Sequence, residues 1–185
     1  MKKQDKIDII KSTIGQAQIV RFYFKYDPNY YYYYPNAVNE KFILGQEEYD
    51  FQLDGYHVRK ISDISQVEVK DDLCGKINVW NGVANCVSNP EIDISSWYTI
   101  FSSELLRKRF IIVEDENNGQ FAIGLIKKVC RHHVCFERFG ADGKWDDSPL
   151  IIPYSSITHV AWNTRYTDNW FNYLVQHSQS IKWEE

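Results

Sequence analysis

One succession of sequence patterns occurs twice in this chain, and self-similarity at that spacing points to a fold built from two copies of one plan. Phe42-Ile43-Leu44-Gly45 returns as Phe121-Ala122-Ile123-Gly124, 79 residues later. Ile61-Ser62-Asp63-Ile64-Ser65-Gln66-Val67 returns as Tyr154-Ser155-Ser156-Ile157-Thr158-His159-Val160, 93 residues later. The second copy therefore carries 14 more residues between its glycine and its turn, an insertion assigned to a hairpin.

Each copy opens on a helix. Ile7, Ile10 and Ile14 stand at helical spacing with Gly15 as a stop, which predicts a helix over 4–14. Ser95 can cap a second helix whose inner face is Trp97, Ile100, Phe101 and Leu105. Strands follow. Val20, Phe22, Phe24 and Tyr26 alternate with Arg21 and Lys25, the pattern of a half-buried strand. Beyond the Asp27-Pro28-Asn29 turn come the run Tyr30 to Tyr34, strand-like pieces near 41–45, 48–53 and 55–60, and a last strand at 66–69. The second set of strands starts at Phe110, and Trp170, Phe171, Tyr173 and Leu174 predict a final helix after Thr167, before the polar tail His177-Ser178-Gln179-Ser180.

A chain of 185 residues suits one domain or two small ones. Two copies of a helix plus five strands predict a mainly β protein with flanking helices: two small β-barrels in tandem, at 1–70 and 94–185, joined by a connector at 71–93.

Composition narrows the function classes. With 44% hydrophobic and 25% charged residues the chain is neither disordered nor collagenous. Aliphatic runs such as Ile111-Ile112-Val113 fall far short of the roughly 20 residues of a membrane span, so no membrane partner is expected. The charged N-terminus has no apolar signal core, which predicts a cytoplasmic location. Net charge is −4 at pH 7, so the overall field does not favour a polyanionic partner. The four cysteines, Cys74, Cys86, Cys130 and Cys135, form no C-x-x-C pair and read as reduced thiols.

The second copy carries a family resemblance. Gly124-Leu125-Ile126-Lys127-Lys128-Val129, then Val134-Cys135-Phe136, then Ile152 to Val160 look like the barrel of the Sm-like superfamily. The resemblance covers about 55–60 residues of each copy and implies an N-terminal helix, a bent five-stranded sheet and a tight helical turn before the last strand. The segment Phe22 to Tyr30 also resembles an uncharacterised family of bacterial proteins, which brings no activity with it. Sm proteins hold a flipped base with an acidic residue after the second strand and a nearby Asn. Those places here are Cys130 and His133-Val134, so the resemblance implies the fold without that base contact.

Five groups of residues are candidates for function. Cys130-Arg131-His132-His133-Val134-Cys135 holds four potential metal ligands in six residues. If the segment is extended, Cys130 and His132 project to one face and His133 and Cys135 to the other, whereas a tight turn over 131–133 would permit convergence. The spacing matches no structural zinc pattern, so an ordinary hairpin without metal is the expectation, and no cofactor is predicted. Gly140-Ala141-Asp142-Gly143-Lys144-Trp145-Asp146-Asp147 has three carboxylates but lacks the ligand alternation of a calcium loop, and Asp142-Gly143 reads as a hairpin turn. The histidines, at 57, 132, 133, 159 and 177, accompany no Gly-x-Ser-x-Gly, nucleophile pair or phosphate loop. His159 could meet Asp63 or Asp147 in space.

Tyr30, Tyr31, Tyr32, Tyr33 and Tyr34 form the best protein-binding surface, because a strand can bury only one of their two alternating sets in a small barrel. Lys127, Lys128 and Arg131, with Arg107-Lys108-Arg109, are the basic concentration available to a nucleic acid. The leading expectation is a non-enzymatic module for protein interaction or scaffolding with an unknown protein partner. An RNA-binding protein of Sm-like type is the alternative, and a hydrolase with a site between the repeats is a weaker one.

Overall fold

The structure is a computed structural model, and it describes residues 1–177, so Ser178, Gln179 and Ser180 of the polar tail lie outside the described residues. The chain runs α1 (Lys3–Thr13), β1 (Val20–Phe24), β2 (Tyr30–Val38), β3 (Phe42–Tyr49), β4 (Gln52–Lys60), β5 (Ile64–Val69), α2 (Leu73–Trp80), α3 (Trp97–Leu105), β6 (Ile111–Asp115), β7 (Gln120–Val129), β8 (His133–Arg138), β9 (Leu150–Pro153), β10 (His159–Trp162) and α4 (Arg165–His177). The connector at 71–93 holds α2 and a short 3-10 turn, Val83–Cys86, and contributes no strand among the described residues.

All ten strands form one antiparallel sheet in the order β5-β1-β2-β3-β4-β10-β6-β7-β8-β9. Each half repeats the same internal order, last strand first, and each is preceded by a helix, α1 or α3. The expected pair of closed Sm-like barrels is nevertheless wrong: the sheet is single, continuous and open, with β5 and β9 at its ends. The reason lies at its centre. Closing the first barrel would require β4 to curl back onto β5, but β4 pairs through Tyr56 to Arg59 with β10, setting Tyr56 opposite Trp162, Val58 opposite Val160 and Arg59 opposite His159. The edge groups of β4 are thereby satisfied by the second half of the chain.

Side-chain alternation then assigns two faces. On one, Trp97, Ile100 and Phe101 of α3 cover a core drawn from both halves: Phe42, Leu44, Tyr56 and Val58 together with Ile111, Val113, Val160 and Trp162. Two separate barrels would have to split this cluster and expose it, at a cost of about 1.5–3 kcal/mol per large apolar side chain. On the other face, Ile7 and Ile10 of α1 pack on Val20, Phe22, Tyr33 and Ile43, while α4 covers Ile112, Ile123, Leu125 and Ala161. Between these two apolar patches β4 and β10 place three buried polar side chains on this face, His57, Arg59 and His159.

Glycine is required in β7. A Cβ on Gly124, whose φ is +157°, would lie 1.9 Å from the Glu137 carbonyl oxygen of β8. Among the described residues no helix is long and apolar enough to cross a membrane.

Candidate functional site

The polar seam between the halves contains the residue types of acid–base chemistry. Arg59 is buried, its Nη1 bound to both oxygens of Glu116 at 2.7 and 2.8 Å. Its Nε donates to the Tyr33 hydroxyl at 3.1 Å, and its plane lies 4.2 Å from the Phe24 ring centre. Beside it, His57 Nδ1 and His159 Nε2 are 2.9 Å apart with the rings stacked, and His159 Nδ1 contacts Glu114 Oε2. His57 Nε2 lies 2.9 Å from the Asp54 carbonyl oxygen and 3.1 Å from Glu47 Oε2.

The partners assign the protons. A carbonyl oxygen only accepts, so His57 Nε2 carries hydrogen; Nδ1 of that neutral ring then accepts from His159 Nε2. His159 Nδ1 is left bare, and the Glu114 carboxyl donates to it. Burial acts in the same direction, lowering His57 to about 4, holding His159 well below the usual imidazole range and raising Glu114 above the usual carboxyl value. Burial also pushes Glu47 up to about 8, so at pH 7 its contact with His57 joins two neutral groups. All four imidazole nitrogens are engaged and both rings are buried, which leaves no nitrogen to meet a substrate. The seam is a joint between the halves. His159 meets His57 and Glu114; Asp63, one of the partners proposed for it, receives the Tyr26 hydroxyl at 3.4 Å.

The tyrosine run is divided by the sheet. Tyr33 lies in the core under α1, and Tyr34 is buried on the opposite face with Ile19 and Ala84 of the connector. One member of each alternating set is buried because both faces of β2 are covered. Tyr31 bonds to Asp27 and Tyr32 to Arg21, each half-buried, while Tyr30 is 48% exposed with the Arg21 guanidinium 4.3 Å from its ring centre.

Lys127, Lys128 and Arg131 are exposed around the β7–β8 hairpin, and Lys127 pairs with Glu137 at 3.5 Å. Arg107 and Arg109 both bind the buried carboxylate of Glu104, at 2.6 and 3.2 Å, and so serve the end of α3. In the acidic loop Asp142 accepts from the Lys144 backbone at 3.1 Å and Asp146 pairs with Arg138 at 2.8 Å, which is turn chemistry.

Two further arrangements bear on function. Cys130, His133 and Cys135 present Sγ, an imidazole nitrogen and Sγ within 4.8 Å of one another. The face assignment for an extended segment fails because Arg131 and His132 form the turn, so Cys130 and His133 become opposite partners, with Cys130 N donating to His133 O at 3.0 Å. Cys135, two residues on, shares the face of His133.

The second is α2. This helix buries Asn78 and displays Leu73, Val79 and Trp80: Asn78 is 0% exposed, its amide donating to the Cys74 carbonyl at 3.1 Å, whereas Trp80 is 86% exposed with Leu73 and Val79 also outward, beside the exposed Lys76. Val79 and Trp80 border a groove of about 800 Å³ whose other walls include Gln16, Ile19 and Lys70. The run Ile77-Asn78-Val79-Trp80 was the available signal, and it was passed over as connector. No protein family, curated protein or solved structure matches the chain.

Proposed function

We propose that the chain is a non-enzymatic protein-binding module whose contact surface is the outward face of α2 and the adjoining groove. The observation that carries this reading is the inverted helix: Asn78 inward, Trp80 outward. Water solvates an asparagine well and an indole poorly, so a free helix gains by the opposite arrangement. Tryptophan is among the anchor types most enriched at interface centres, and here it stands exposed beside a groove. Leu73 and Val79 extend the apolar area around it. Tyr30 is the member of the tyrosine run most open to a partner and lies outside this surface.

The test is capture from native lysate by the full chain and by Trp80→Ala, each with and without nuclease. The expected result is a protein partner retained after nuclease and lost with Trp80→Ala, while thermal stability is unchanged. Capture that disappears with nuclease and with Ala at Lys127, Lys128 and Arg131 would replace this reading with RNA binding. Capture indifferent to Trp80 would move the contact elsewhere.

A further inference from the structure

The β7–β8 hairpin ends in a turn that is held from three sides. Cys130 N donates to His133 O at 3.0 Å, Tyr154 N donates to His132 O at 3.0 Å, and the Tyr154 hydroxyl donates to Cys130 O at 2.8 Å. The backbone that carries Cys130 and His133 is therefore fixed by β9 and the residue after it, as well as by its own hairpin. Val134 and Phe136 anchor β8 in the core on the opposite face, which fixes the direction of His133 and Cys135.

On this platform two thiols and one imidazole converge, half-buried, with their ligand atoms within 4.8 Å. Tetrahedral coordination with Zn–S near 2.3 Å and Zn–N near 2.0 Å sets ligand atoms about 3.5–3.8 Å apart, a closure that side-chain rotation supplies. Among the described residues this is the grouping of three such side chains that could hold a metal ion. Its donors are soft sulfur and borderline nitrogen, which select zinc-like ions over calcium or magnesium. Two thiolates neutralise the two charges of the ion. We propose that Cys130, His133 and Cys135 bind one thiophilic divalent cation of the zinc class, with a fourth position open to water or a small ligand. Three protein ligands and an open position are the arrangement of exchangeable or reactive sites; closed structural sites use four. The site stands apart from α2 and does not rest on the protein-binding reading.

The experiment uses the full chain, reduced with a phosphine and stripped with a chelator, then titrated with Co2+ as an optical probe and with Zn2+ in competition. The expected result is one equivalent of Co2+ with sulfur-to-metal charge-transfer absorption and tetrahedral visible bands, displaced by Zn2+. Cys130→Ser, His133→Ala and Cys135→Ser should each weaken Zn2+ binding by at least about tenfold, and His132→Ala should leave it unchanged. Thermal melts of the stripped variants should match the stripped parent, which separates ligand loss from misfolding. Failure to take up either metal at micromolar concentration, uptake undiminished in the three ligand variants, or equal loss with His132→Ala would overturn the site.

Discussion

Arg59 and Glu116 stand 57 residues apart in the chain and share two hydrogen bonds, of 2.7 and 2.8 Å, that clamp β4 of the first half to the turn after β6 of the second. The two partners are unequally buried: the Arg59 side chain is 3% exposed and the Glu116 side chain 17%. Removing Glu116 strands a buried guanidinium, whereas removing Arg59 leaves a carboxylate that water can reach. Glu116→Gln should therefore cost about 3–5 kcal/mol and Arg59→Met about 1–2 kcal/mol. Urea unfolding of both variants checks the order; equal costs, or the reverse order, would refute the burial argument.

Stability should fall on both sides of a plateau in pH. His57 has a folded pKa of about 4 against 6.5 unfolded, so its contribution is complete above about 6.5 and is lost as pH falls through 4. His159, also depressed by burial, acts in the same sense. Glu47 has a folded pKa of about 8 against 4.5, so its contribution is complete below 4.5 and is lost as pH rises through 8. Each group acting alone gives a slope of about 1.4 kcal/mol per pH unit within its window. Denaturant midpoints from pH 4 to 9 test this; Glu47→Gln should remove the fall between about 6.5 and 8 and steepen the rise between about 4.5 and 6.5, where the two groups oppose each other.

The tyrosine run should answer substitution unevenly. Tyr33→Ser and Tyr34→Ser open cavities on opposite faces of the sheet and should each cost about 3–5 kcal/mol. Tyr30→Ser, at an exposed position, should change stability by less than about 1 kcal/mol. Equal effects along the run would contradict the burial of Tyr33 and Tyr34.

Two glycines with positive φ should separate strain from collision. Gly119→Ala meets open space and should cost about 1 kcal/mol from backbone conformation alone. Gly124→Ala drives a methyl into the Glu137 carbonyl and should cost well over about 3 kcal/mol or prevent folding. Similar melting temperatures for the two variants would show that β7 and β8 are not pressed together at this point.

The helices were legible because apolar spacing records them directly: Ile7 and Ile10 do face the core from α1, and Trp97, Ile100 and Phe101 from α3. One strand order is used twice, but only the second repeated segment joins equivalent strands, β5 and β10: Phe42 to Gly45 lies in β3, whereas Phe121 to Gly124 lies in β7, whose equivalent in the first half is β2. What the sequence hides is pairing across the middle. Alternation along β4 identifies its faces but not its neighbour, so nothing local could tell whether β4 meets β5 or β10. His57 and His159 were consequently scattered histidines, being 102 residues apart, and their partnership follows only from the β4–β10 register. Sequence left two arrangements open for the hairpin ligands, and the turn at Arg131 and His132 selects the convergent one, because a two-residue turn reverses the parity that an extended strand would have.

The join between β4 and β10 also dictates a timetable. During synthesis the first five strands emerge well before their central neighbour, since 102 residues separate His57 from His159. At about 5–20 residues per second that interval lasts on the order of 5–20 s, during which a nascent chain carries β4 as an unpaired edge with Arg59 and His57 uncompensated. Emergence of β10, more than any local folding step, then closes this edge. Agents that slow translation after residue 60 should prolong its exposure to other chains.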